Sequence, residues 1–111
     1  MQAGKLRHRV TIQHYVEGSP QQKPSGAPDG SWTALDTVWA RVRPLSGREM
    51  FLAQQAASRV DVEITIRHRA DVTDAMRVVK GSMVYSIESV MNPEERGELL
   101  VLRCSTGQNN G

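Results

Sequence analysis

Three histidines and one cysteine are the side chains of this sequence best suited to metal binding or nucleophilic chemistry: His8, His14, His68 and Cys104. His8 and His14 share the parity of one extended segment, and six residues of strand separate them by roughly 20 Å, too far for one metal ion. His68 stands between Arg67 and Arg69 at the end of another segment. All three read as surface or rim histidines. Cys104 alternates with Leu100 and Leu102, the pattern of a small core residue and not of an activated thiolate. The sequence contains no GxSxG, no HExxH, no Walker lysine motif and no GxGxxG, so the signatures of hydrolase, zinc protease, NTPase and dinucleotide binding fail together. No catalytic, metal-binding or cofactor-binding residue is assigned, and an enzyme is not expected.

The basic residues offer a different chemistry. Lys5, Arg7 and Arg9 lie on the outward parity of the first extended segment, Arg41 and Arg43 on that of the second, and Arg67 and Arg69 on that of the third. If these segments are neighbours, a positive face forms. Two readings stand open: a solvated face with Asp61 and Glu63 interspersed, or a surface that meets phosphate or an acidic protein. Trp39 falls on the arginine side. Interfaces concentrate Trp and Arg, so its place fits an interface anchor. A base-stacking platform needs more aromatics than the two Trp, two Tyr and one Phe present.

Composition bounds what can carry these residues. With 111 residues, 39% apolar and 23% charged, the chain fits one globular domain whose core is built mainly from Val, Ile, Leu and Ala. Lys and Arg number 14 against 12 Asp and Glu, a two-charge excess that is no basic tract. A lone cysteine rules out an internal disulfide, and no apolar run approaches the roughly 18 residues of a membrane span. The opening MQAGKLRHRVTIQ has no apolar signal-peptide core. A soluble protein made in a reducing cytoplasm is expected.

Period-two patterning supplies the elements. Leu6, Val10, Ile12 and Val16 share one parity and place strand one over roughly 7–16. Residues 17–31 carry Pro20, Pro24, Pro28 and three glycines, with Ala27 the only apolar side chain. They read as a flexible loop, longer than a compact domain usually keeps without a use for it. From Trp32 the chain is extended again, with Leu35, Val38, Ala40 and Val42 toward the core. Pro44 ends pairing because it has no amide to donate. Ser46 followed by Glu49 matches a capping box and predicts a helix over 47–57. Its stripe of Met50, Phe51, Ala53, Gln54 and Ala57 is only weakly apolar. Further strands are predicted at 60–66, 76–79, 83–91 and 99–104, with a disordered tail over 105–111. About six strands and one inserted short helix predict a mainly all-β protein, a small closed or nearly closed β-barrel, with a two-sheet sandwich as the alternative.

The stretches AGKLRHRVTIQ, TVWARVRPLSGREMFLAQQ, VEITIRHRADVTDAMRVV and VYSIESVMNPEERGELLVLRC, in this order and spacing, resemble the head-closure, or head–tail adaptor, proteins of tailed bacteriophages and prophages. The resemblance runs from Gly4 to Cys104. It implies a small β-barrel that assembles into a ring, sixfold or twelvefold, in the virion neck. The implied partners are other copies of itself, a portal or adaptor protein above, and a tail completion or terminator protein below. Packaged DNA would pass through the ring without sequence-specific contacts, after assembly in the host cytoplasm. The Pro-rich loop departs from the family pattern.

That resemblance gives the weakly apolar helix a use. Met50, Phe51 and Leu52 would complete their burial against another subunit or neck protein, and family members use the segment between the second and third strands, here 46–58, in channel closure. A helix plugging the open end of its own barrel is the other reading. The interface residues expected on this basis are Trp39, Arg41, Arg43, Arg48, Met50, Phe51 and Leu52. Lys23, Ser25 and Asp29 are expected on a loop facing the channel or a partner. The alternative function is an OB-like single-stranded nucleic-acid-binding module, separable by the salt dependence of binding.

Overall fold

Alternation decides which side of each strand faces inward. In β3 (Val62–Arg67), Val62, Ile64 and Ile66 are buried while Glu63 and Thr65 lie on the other face, as a pleated strand with one wet side requires. The computed structural model describes residues 6–17, 30–92 and 97–106. Within them β1 (His8–Glu17), β2 (Gly30–Pro44), α1 (Gly47–Gln55), β3, β4 (Arg77–Lys80), β5 (Met83–Met91) and β6 (Leu99–Ser105) follow in chain order. The strands close into a barrel in the order β1-β2-β3-β6-β5-β4, antiparallel at every pairing. Closure gives every strand a partner on both sides over part of its length. An OB-fold has five strands, so this six-stranded order does not support the nucleic-acid alternative, and the sandwich is likewise replaced by a closed barrel.

The interior is aliphatic. Ile12, Ile64, Ile66, Leu102 and Val78 are fully buried, joined by Val10, Ala40, Ile87, Leu100 and Cys104. Cys104 is the core residue its alternation predicts. Burial pushes its thiol up to about 12, so the thiolate needed for reactivity is suppressed. β6 runs one residue past its expected end: Ser105 is buried in the strand, and the Thr106 amide and hydroxyl donate to the Asp61 carboxylate at 3.1 and 2.7 Å. Ser105 and Thr106, expected in a disordered tail, are thus held by the barrel; residues 107–111 lie outside the described residues.

One irregularity reshapes the first hairpin. The β1–β2 register shifts between Ile12 and Gln13, where Ile12 faces Asp36 but Gln13 faces Ala34. The extra residue is Leu35, which lets Leu35 and Val38 both pack on the core despite opposite parity. β4 accompanies β1 only from Thr11 to Gln13. Beyond that point β1 and β2 run on as a two-stranded ribbon outside the barrel. Val16, expected in the core, is 43% exposed there, because the pattern continues after the barrel has ended. Tyr15 and Trp32 face each other across the ribbon with ring centroids 5.4 Å apart. Arg77 braces its base, stacking over Trp32 at 4.3 Å and donating to Gln13 Oε1 at 2.7 Å.

Candidate functional site

The outer face of β1, β2, β3 and β6 reads as cross-strand rows. In one row Arg43 of β2 faces Glu63 of β3, which faces Arg103 of β6. Glu63 accepts from Arg43 at 2.9 Å and from Arg103 at 3.1 Å. In the next, Arg41 faces Thr65, which faces Val101. Beyond it Trp39 faces Arg9 of β1, whose guanidinium lies 4.9 Å from the indole centroid. The row after that pairs Thr11 with Thr37 through their hydroxyls at 3.0 Å.

Trp39 is 51% exposed, on the outward side its parity predicts. β2–β3 pairing stops at Ala40 opposite Ile66. Past that pair the strands part and open a cleft of about 300 Å3, lined by Val38, Trp39, Arg67, His68 and Arg69. Arg69 seals its far side with bonds to Asp36 at 2.7 Å and to both oxygens of Asp71 at 2.7 and 2.9 Å. The Arg69 guanidinium holds both carboxyls below their ordinary value. The positive face expected from neighbouring strands therefore forms only in part. Arg7, Arg9, Arg41 and Arg67 are exposed, whereas Arg43 and Arg69 are occupied within the chain; Lys5 lies outside the described residues.

The segment between β2 and β3 leaves the barrel from a pinned base. The Leu45 amide donates to the Asp61 carbonyl at 2.9 Å, and Leu45 and Val60 are buried on either side. Ser46 and Glu49 form the predicted capping box: the Glu49 amide donates to Ser46 Oγ at 3.1 Å and the Ser46 amide to Glu49 Oε1 at 2.8 Å. Arg43 then binds the same Glu49 carboxylate through two nitrogens at 3.0 and 3.1 Å. The Arg43 guanidinium, helped by the Ser46 amide, lowers the Glu49 carboxyl to about 2. The helix ends at Gln55 and not at 57. Ser58 N–H donates to the Ala53 carbonyl and Ala57 N–H to that of Gln54, with Ala57 in the left-handed region at φ 60°, a Schellman stop with alanine in glycine's usual place.

Little of this helix is buried. Ala53 is buried and Met50 half-buried, while Phe51 and Leu52 are 59% and 53% exposed and Arg48 is exposed. Trp39, Arg41, Arg48, Phe51 and Leu52 thus stand on the surface, Met50 is partly covered, and Arg43 fastens the helix to the sheet. Lys23, Ser25 and Asp29 lie outside the described residues. Sequence reasoning did not find the cleft beside Trp39 or the Tyr15–Trp32–Arg77 cluster. The cleft arises where two strands separate; the cluster could have been suspected from two aromatics flanking a loop. Among the described residues no group of His, Cys, Asp and Glu is placed to hold a metal ion.

Comparison with known proteins relates this geometry to others. The family described as phage head completion protein matches residues 1–107. Head completion protein gp7 of Enterobacteria phage HK97 is 28% identical over 112 residues, covering 96% of this chain and 97% of that protein. A Shigella flexneri 2a protein whose structure was determined in solution matches with a TM-score of 0.71 at 26% identity, over 99% of this chain and all of the other. A chain from the virion of a native gene transfer agent particle shares the fold, with a TM-score of 0.59 at 16% identity over 93% of this chain and 96% of that one. The family match takes in every element from β1 to β6, so the chain belongs to the phage head completion protein family.

Proposed function

We propose that this chain is a structural protein of the virion neck in a tailed phage or prophage, closing the DNA-filled head and joining it to the tail. The observation that carries the proposal is the family match over residues 1–107, together with a curated relative named as a head completion protein. The surface agrees with an assembly role. A small barrel leaves Trp39, Phe51 and Leu52 about half exposed, and such apolar side chains on a well-packed protein mark contact sites.

In this reading the chain acts by contact and performs no catalysis. Copies join in a ring, sixfold or twelvefold, through heterologous contacts. A portal or adaptor protein lies above, a tail completion or terminator protein lies below, and packaged DNA passes through without sequence-specific contacts. Assembly takes place in the host cytoplasm. Residues 46–58 reach a neighbouring subunit or the channel. At micromolar concentration the isolated chain is a monomer or a weak oligomer, and the ring forms on the preassembled portal side.

Electron microscopy of particles made without this protein tests the proposal. Filled or leaking heads beside free tails are expected, with tailed particles restored by the protein supplied in trans. Normal tailed particles in its absence would overturn it.

A further inference from the structure

We propose that the cleft beside Trp39 is the docking site for a short acidic segment of a different virion protein, with one bulky aliphatic side chain seated between Trp39 and Arg67. The inference rests on the neck role above and gives its Trp39 face a partner of definite chemistry.

Three observations converge on it. First, the cleft is about 300 Å3 and walled by Val38 and the Trp39 indole, at the small end of the roughly 300–1,000 Å3 of ligand sites. That is room for one or two side chains. Second, it opens where β2 loses its partner. Past Ala40 opposite Ile66, no described strand pairs with β2 on the β3 side, so an added segment can reach main-chain groups there. The free stretch is short, because Asp36 closes it by accepting from Thr37 N–H at 2.8 Å and from Arg69. Third, the rim is positive. Arg9, Arg41 and Arg67 are exposed and make no ion pair among the described residues. Carboxylates placed on both sides of an apolar anchor match this rim.

The acid groups are assigned to another polypeptide: six of this chain's twelve Asp and Glu are already engaged within the fold, and dilution of the chain alone tests whether a second copy supplies the rest. Asp36, Glu49, Glu63 and Asp71 are bound to arginines. Asp61 is bound to Thr106 and Glu88 to Ser105. A nucleic acid fits less well, since successive bases need successive aromatic platforms and the cleft holds one.

The test is an NMR titration of the full chain, followed at the Trp39 and Trp32 indole signals. The probe is an acetylated peptide of about ten residues, glutamates around one central leucine. Parallel arms use the same peptide with serine for leucine, a duplex oligonucleotide, and dilution of the chain alone. The expected result is a shift at Trp39 and at the Arg9, Val38 and Arg67 amides, with Trp32 unmoved. Affinity should fall about fivefold or more with the serine peptide, in Arg67→Ser, and between about 50 and 300 mM salt. No shift at Trp39, equal binding of the two peptides, stronger binding of the oligonucleotide at these residues, or the same shifts on raising the chain's own concentration would each overturn the inference. If the peptide fails while Trp39→Ala still leaves heads and tails unjoined, the acidic segment is lost and the neck role stands.

Discussion

Arg43 and Glu49 form a two-pronged ion pair, Nη1 to Oε1 at 3.0 Å and Nη2 to Oε2 at 3.1 Å, that fastens the first turn of α1 to the outer face of β2. The same carboxylate caps the helix through the Ser46 amide and the same guanidinium reaches Glu63. One charged pair therefore sets where the only helix among the described residues stands relative to the barrel. Arg43 is thereby engaged within the fold by both Glu49 and Glu63.

The pair makes the helix attachment acid-sensitive. Glu49 titrates at about 2 in the folded chain against an ordinary value of 4.5. A depressed carboxyl contributes stability that is fully present above the unfolded value and is lost as pH falls through the folded one. Helix attachment should thus weaken between about pH 4.5 and 2. NMR titration of the Glu49 carboxyl checks this, and Arg43→Met should move its midpoint back toward the ordinary value. An unchanged midpoint in that variant would show that the Ser46 amide alone holds the carboxylate.

Ser46→Ala should weaken the helix start by roughly 1 kcal/mol while leaving the barrel folded, since the cap serves one element. Thermal unfolding together with far-UV dichroism reads both. Loss of all cooperative unfolding would contradict the peripheral position of α1.

Ala57→Gly should stabilise the chain by about 1 kcal/mol, because the left-handed backbone at φ 60° strains alanine and suits glycine. A shift in the denaturant midpoint at constant slope would report it. A destabilised variant would mean that the Ala57 methyl makes contacts worth more than the strain.

Trp39→Ala should cost about 1 kcal/mol, the order of an exposed cation–π contact with Arg9, and not the roughly 3–5 kcal/mol of a truncated core tryptophan. The folded variant should fail to join heads to tails in a complementation assay. Normal plaque formation by it would remove this face from the assembly surface.

Cys104 gives the opposite pH response at the other end of the scale. Its buried thiol keeps its proton up to about 12 against an ordinary 9.0, so between those values the folded state binds more protons than the unfolded. Stability should fall as pH rises through that window. Denaturant unfolding at about pH 8 and about pH 10 measures the slope, and Cys104→Ala should flatten it.

Strand parity made most of the barrel legible in advance: the inward sets of β2 and β3, the outward Trp39, and the capping box all follow from local spacing. Leu35 shows where that logic ends. It breaks the parity of Val38, Ala40 and Val42, but the place of the extra residue is a property of two strands in register and not of either alone. Arg69 and Asp36 make the same point at greater range: they meet across 33 residues of sequence only because the β3–β4 connection folds back over β2. Arg43 read as an outward arginine, and so it is; its partners became visible only once the helix had a direction. The cleft beside Trp39 depends on where β2 and β3 part, which no single-strand pattern records.

The register shift at Ile12 and Gln13 also divides a strand into two levels of protection. At and below it, Thr11–Gln13 of β1 also pair with β4, Ala40 of β2 also pairs with Ile66 of β3, and Val10, Ile12 and Ala40 are buried in the core, so this part opens to solvent only when the barrel as a whole comes apart. Above it, residues 14–17 and 30–34 hold one another and little else, so they can open and close while the core stays shut. Hydrogen exchange should therefore change abruptly within a continuous run of backbone, at the bulge and not at a strand end. The ribbon can rearrange against whatever it meets at the cost of a few hairpin bonds, with the barrel's stability left intact.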